Sequence, residues 1–148
     1  MSFVKIWVHA VWGTKYREPV LQKEGRAILF GHITDYALSK EIYVDCINGH
    51  LDHVHCLFEL NAEVSLSKTM QLLKGESAHW ANGRGLVKPK LDWADEYFAV
   101  SVSESVVEKV RAYIANQEEH HRKMTWAEEY DMLLKKYSLR RDKQQKPK

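Results

Sequence analysis

The chain has 148 residues, 45% hydrophobic and 11% aromatic, enough for one compact domain with its own core. No apolar run approaches the roughly 20 residues needed to cross a membrane, and the opening "MSFVKIWVHAVW" lacks a signal peptide's basic start and small-residue cleavage site, so a cytosolic protein is expected. The net charge of +2 excludes no partner class, but its distribution is uneven. The last fourteen residues, "KKYSLRRDKQQKPK", hold seven Lys or Arg against one Asp, which suits a solvated tail or a phosphate-attracting arm.

Residues 3–12 alternate, Val4, Ile6, Val8 and Ala10 against Lys5, Trp7, His9 and Val11, and predict a strand. The basic stretch "TKYR" (14–17) follows, Pro19 punctuates, and 21–40 reads as a helix with Leu29, Ile33, Tyr36 and Ala37 on one side. Residues 41–47 and 53–60 read as two strands joined into an antiparallel hairpin by "NGHLD". Cys46 and Cys56 flank that turn. Without C-x-x-C spacing, and in a cytosolic setting, they read as two reduced, buried thiols.

Ser65 is the expected N-cap of a helix to about Trp80, with Leu66, Met70, Leu73 and Ser77 at i, i+4, i+7 and i+11. Gly75 interrupts it at a cost of about 1 kcal/mol relative to alanine, which suggests close approach of another backbone or a ligand. The loop "NGRGLVKPKLD" and a fourth strand over 96–102 come next. Ser105 with Glu108 forms an S-x-x-E capping box for a helix to about Lys123. Thr125 with Glu128 forms another, for a last helix striped by Trp126, Tyr130, Leu133 and Tyr137. The order β-α-β-β-α-β plus two helices predicts an α+β, ferredoxin-like (RRM-like) sandwich on an antiparallel sheet. One domain is expected over 1–137, with a basic tail over 138–148. That fold hosts many functions, so function must be argued from the site.

Three features invite chemistry. On a strand, His53 and His55 point the same way, with Leu57 and Glu59, while Val54, Cys56, Phe58 and Leu60 form the apolar, buried face. The pair can hold one metal ion or be two surface histidines. Tyr113 and Gln117 are neighbours on a helix face, extended by His120 and His121; a tyrosine there can be packing or a reactive group. The loop "NGRGLVKPK", between Trp80 and Trp93, interleaves cations with aromatics as single-stranded nucleic acid prefers, though ordinary loops share that composition. Together these features fit one reaction. A tyrosine hydroxyl can attack a DNA phosphodiester that a divalent ion polarises.

The sequence resembles the single-tyrosine transposases of the HUH superfamily, the IS200-like and REP-associated proteins encoded by elements that move as single-stranded DNA. "HAVWGTKYREPVL" (9–21), "DHVHCLFEL" (52–60), "LLKGESAHW" (72–80), "EYFAVSV" (96–102) and "YIANQ" (113–117) are similar, in order, to that family's segments. The resemblance implies Tyr113 as nucleophile, His53, His55 and Gln117 as ligands of Mg²⁺ or Mn²⁺, and a 5′-phosphotyrosine intermediate. It further implies a homodimer, single-stranded DNA hairpins as substrate, and a prokaryotic, nucleoid-associated location. Lys15, Arg17, Lys74, Arg84 and Lys88 are the candidates for DNA contacts. Leu51 stands where relatives often carry proline, and His120 and His121 are expected at the surface or facing DNA. Two other readings stay open: a non-catalytic hairpin-binding module of the same fold, and a structural zinc cluster of His50, His53, His55 and His9.

Overall fold

The computed structural model describes residues 2–139. Four strands, β1 (Trp7–Gly13), β2 (Tyr43–His50), β3 (His53–Glu59) and β4 (Phe98–Val102), form one sheet in the order β2-β3-β1-β4. Every neighbouring pair is antiparallel. With helices α1 (Lys23–Ser39) and α2 (Leu66–Gly83) between strands, this is the expected ferredoxin-like arrangement. Helices α3 (Val107–Ala115), α4 (Gln117–His120) and α5 (Trp126–Lys136) follow β4. No helix among the described residues is long and apolar enough to cross a membrane.

The sheet is buried on both faces. Val8, Ala10, Trp12, Val54, Cys56 and Phe58 pack against Leu29, Ile33, Met70 and Leu73 of α1 and α2. Full burial of each such aliphatic side chain contributes roughly 1.5–3 kcal/mol. On the opposite face, Trp7 and Leu57 meet Val107 and Ile114 of α3, while Val11 and Phe98 meet Trp126 and Leu133 of α5. His53 and His55 lie on this second face and are both 0% exposed. The alternation in β3 pointed to a single buried face; the helices after β4 bury the other.

The element boundaries shift for local reasons. The first strand begins at Trp7, not at residue 3, because its pairing with β3 ends at Trp7 opposite Glu59; Phe3, Val4 and Ile6 are exposed. "NGH" belongs to β2, with Asn48, Gly49 and His50 opposite His55, Val54 and His53, so Leu51 and Asp52 alone make the turn. A Cβ on Gly49 would fall 2.1 Å from the His53 carbonyl oxygen, so the hairpin needs glycine there. Gly75, by contrast, faces open space, and no other backbone among the described residues approaches it. Ser65 caps α2 as expected, accepting from Lys68 N at 3.0 Å.

Ser103 rather than Ser105 precedes the third helix, accepting from Ser105 N ahead of a short 3-10 turn over Glu104–Val106. That helix then stops at Asn116 (φ −102°, ψ 28°) instead of running to Lys123. The Thr125–Glu128 capping box forms in full. Tyr137 lies past the end of α5 and is exposed, so the stripe is buried through Trp126 and Leu133. The cysteines are free, Cys56 buried and Cys46 half-buried. They face opposite sides of the sheet, Cys46 opposite Leu57 and Cys56 opposite Ile47. The expected basic tail, beyond Ser138 and Leu139, lies outside the described residues.

Candidate active site

A bulge in β2 between Val44 and Cys46 starts the site. Asp45, at the bulge, takes a two-point fork from Arg111, Nε to Oδ2 at 2.7 Å and Nη2 to Oδ1 at 2.9 Å. The Arg111 guanidinium holds the Asp45 carboxyl below its usual range, opposed in part by burial. Further along β2, Asn48 Nδ2 donates to the Ile114 carbonyl at 2.9 Å. The two contacts seat α3 on the sheet and bring Tyr113 over the histidine pair, its ring 5.5 Å from that of His55. The break at Asn116 turns Gln117, 0% exposed, into the same space.

Each imidazole is oriented by its other nitrogen. His53 Nδ1 lies 2.9 Å from Asp52 Oδ1, leaving Nε2 2.9 Å from Gln117 Oε1 and 3.1 Å from Glu129 Oε1. His55 Nδ1 lies 2.9 Å from His9 Nε2, leaving Nε2 3.2 Å from Glu129 Oε2. Trp126 of α5 stacks flat on His53, centroids 4.2 Å apart. Gly13 makes room for it, since a Cβ there would stand 2.5 Å from Trp126 Nε1.

Glu129 is the hub. Its side chain is fully buried, and besides His53 and His55 it meets His121 Nε2 at 2.7 Å and Gln117 Nε2 at 3.4 Å. It also accepts a short hydrogen bond from the Tyr113 hydroxyl. Burial alone would raise its pKa, but the imidazoles of His121, His53 and His55 around it hold the carboxyl far below the usual carboxylate range. Burial lowers both histidines of the neighbouring pair, His55 to about 4 and His9 to about 3. His53 is also penalised by burial, yet Asp52 and Glu129 outweigh that and raise it. Burial and the adjacent Glu129 charge push the Tyr113 phenol up, so it stays protonated while Glu129 is unscreened.

The donor set was tested against a divalent cation. His53, His55 and Glu129 each offer a ligand atom, all within 4.8 Å of one another. Two oriented imidazole nitrogens and a carboxylate oxygen, with the Gln117 carbonyl oxygen alongside, suit a divalent cation. The fit is good. The zinc cluster of His50, His53, His55 and His9 does not assemble, because His9 is bonded to His55 and His50 stacks on His121.

Tyr113, Gln117, His53 and His55 of the sequence reading lie together in the structure; Glu129 is not foreseen there, and His121, placed on the Tyr113–Gln117 face, is assigned to the surface instead of the cluster. His121, expected at the surface, has a side chain only 3% exposed. Glu129 had a signal: with Trp126 and Leu133 it shares the i, i+3, i+7 face of α5, a carboxylate on the buried side. The DNA-contact candidates are scattered. Lys15 pairs with Asp92 at 3.9 Å, Arg17 is exposed, Arg84 lies over the Trp80 ring, and Lys88 is exposed in the loop after α2. Lys74 Nζ donates to the carbonyls of Ala94 and Asp95 at 2.8 and 3.1 Å, tying that loop to α2.

Comparison with known proteins finds relatives of one family and fold. The chain is 29% identical over 114 residues to the ISDra2 transposase TnpA of Deinococcus radiodurans, spanning 74% of this chain and 81% of that protein. A crystal structure of a candidate transposase from the same organism superposes with a TM-score of 0.59 at 26% identity, over 78% of this chain and 93% of the other. A REP-associated tyrosine transposase bound to a REP hairpin shares the fold, with a TM-score of 0.51 at 14% identity, over 77% and 66%. The profile of the family described as "Transposase IS200 like" matches residues 2–117. The chain therefore belongs to the IS200-like transposase family.

Proposed function

We propose that this transposase binds hairpins in single-stranded DNA, cleaves a phosphodiester with Tyr113, and rejoins strands. The observation that carries the reading is the convergence of Tyr113, His53, His55 and Glu129 in one buried cluster. The Tyr113 oxygen attacks phosphorus, a Tyr–O–P bond forms, and the P–O3′ bond breaks. This yields a 5′-phosphotyrosine and a free 3′-hydroxyl. The phosphotyrosine keeps the bond energy, so the reverse attack by a 3′-hydroxyl joins strands without a nucleotide cofactor.

Glu129 accepts the Tyr113 hydroxyl's hydrogen bond and so aims the phenol at the histidine pair; held far below the usual carboxylate range, it is a positioning group and not the base for that proton. Asp52 and His9 orient the His53 and His55 rings, and Gln117 offers its carbonyl oxygen beside them. Held by His53, His55 and Glu129, with Gln117 adjoining, Mg²⁺ or Mn²⁺ would polarise the scissile phosphate and offset the negative charge around the phenol. The hairpin substrate is supported by the fold shared with the hairpin-bound REP-associated protein. Lys15, Arg17, Arg84 and Lys88 are the proposed phosphate contacts, with Lys74 as a support for the adjoining loop. The homodimer and nucleoid location implied by the family resemblance belong to the same reading.

The test is incubation with Mn²⁺ and single-stranded oligonucleotides copied from DNA flanking the protein's own gene, read on a denaturing gel. A protein–DNA adduct that needs metal and vanishes in Tyr113→Phe and His53→Ala is the expected result. Hairpin binding without an adduct under any metal would replace the enzyme by a binding module.

A further inference from the structure

Next to the cluster, on the far side of Trp126, lies a cleft of about 230 Å³. Its walls include Tyr16, Arg17, Glu96, Tyr97, Trp126 and Tyr130. We propose that this cleft is a nucleobase subsite, which takes the single base next to the phosphate held at His53 and His55. The inference rests on the single-strand cleavage reading above and adds where the substrate's base is held.

Size and lining agree with that occupant. A cavity of about 150 Å³ accommodates a benzene ring, so this cleft has room for a pyrimidine or purine. Bases stack on aromatic rings whatever their identity, while cations meet the neighbouring phosphates. Here Arg17, in the lining, supplies the cation. A duplex cannot present a base this way without extruding it. The occupant is therefore single-stranded.

Position ties the cleft to the chemistry. Trp126 forms one wall, and its ring stacks on His53 with planes 3° apart. A base in the cleft is one indole away from the metal-site imidazole.

The Tyr16 turn is built to present a ring. Tyr16 is 85% exposed, and both it and Arg17 hold left-handed backbone (φ 58° and 56°), a conformation that non-glycine residues keep only when their surroundings impose it. Here Thr14 Oγ1 donates to the Glu18 carbonyl at 2.8 Å and Lys15 N donates to the Asp92 carbonyl at 2.8 Å. Tyr16 also lines a second cleft of about 240 Å³ with Lys15, Pro89 and Lys90. Tyr16 thus adjoins both clefts.

The experiment uses the full chain carrying Tyr113→Phe, so that binding is read without cleavage. Oligonucleotides from the gene's flanks carry fluorescent 2-aminopurine at each position in turn. Quenching at a base adjoining the cleaved bond mapped with the unaltered protein is expected. Added Tyr16→Ala should abolish that quench and weaken binding roughly tenfold or more, while Tyr16→Phe restores both. Tyr43→Ala, exposed on the distant sheet edge, serves as the control. Quenching at no position, or Tyr16→Ala binding as tightly as its parent, overturns the subsite. If the unaltered protein forms an adduct and Tyr16→Ala still changes nothing, only the subsite fails. If Tyr16-dependent quenching occurs but no adduct ever forms, the subsite stands as a base-binding cleft and the cleavage reading fails.

Discussion

The Tyr113 hydroxyl on α3 donates to the Glu129 carboxylate on α5, joining two helices that the chain separates by a break and a turn. Glu129 lies beyond residues 2–117, the part of the chain that matches the family profile. The last helix is therefore a working part of the site. Replacing the carboxylate by an amide keeps its size but removes the charge that faces His53, His55 and His121. Glu129→Gln should weaken Mn²⁺ binding at least about tenfold, the loss that removing even an outer partner of a ligand causes, and suppress the adduct. Glu128→Gln, one residue away and compatible with the capping box, should change neither. Calorimetric titration with Mn²⁺ and the adduct gel check both.

Metal-free stability should fall as pH drops below neutrality. His9 and His55 are held neutral in the fold, their pKa values lowered from 6.5 to about 3 and about 4 by burial. Between pH 6.5 and 4 the unfolded chain binds protons at these two sites while the folded chain does not, so stability decreases as pH decreases. Each contributes up to about 1.4 kcal/mol per pH unit. His53 works in the opposite sense: its raised pKa adds stability that is complete below pH 6.5 and is lost as pH rises through the folded value. Urea denaturation in EDTA should therefore show a maximum near neutrality and a steep loss by pH 5. A flat profile from pH 7 to 5 would contradict the buried neutral imidazoles.

Much of the fold and four of the six clustered side chains were legible because they depend on local periodicity. Alternation marked the strands and put His53 and His55 on one face; helical spacing linked Tyr113 to Gln117. Two features depended on tertiary contacts instead. The helix break at Asn116 has no proline or glycine to announce it, and it directs Gln117 toward His53. Glu129 sits in a capped amphipathic helix whose pattern reads as ordinary packing until the histidines are known to lie beneath it. Lys74 makes the same point from the other side. A lysine that ties a loop through its carbonyls and one that meets phosphate look alike in sequence.

Two glycines should respond oppositely to alanine. At Gly49 a Cβ would overlap the His53 carbonyl oxygen and press on the backbone that carries the first metal-site imidazole. Gly49→Ala should destabilise by roughly 1–3 kcal/mol, the range for forced overpacking, and reduce Mn²⁺ affinity with it. At Gly75 a Cβ meets nothing, so Gly75→Ala should gain up to about 1 kcal/mol of helix propensity. Urea midpoints of the two variants, compared with the parent, settle both signs.

The site assembles within one chain. Tyr113 reaches the His53–His55 pair of its own sheet, and several contacts hold it there: Arg111 on Asp45, Asn48 on the Ile114 carbonyl, and Arg26 on Glu118 at 3.1 Å. For the tyrosine helix to serve a partner's histidines, all of these would have to break and re-form between subunits, and the contact of Tyr113 with Glu129 would have to be given up or carried along. Cleavage in cis is therefore expected even if the protein dimerises. A mixture of Tyr113→Phe and His53→Ala chains, distinguished by a size tag, should form no adduct after co-folding. In trans exchange, the His53→Ala chain would lend its intact Tyr113 to the histidines of its partner and become covalently labelled. Labelling of that chain would show that α3 crosses between subunits, and the pairing of Arg111 with Asp45 would then have to be intermolecular.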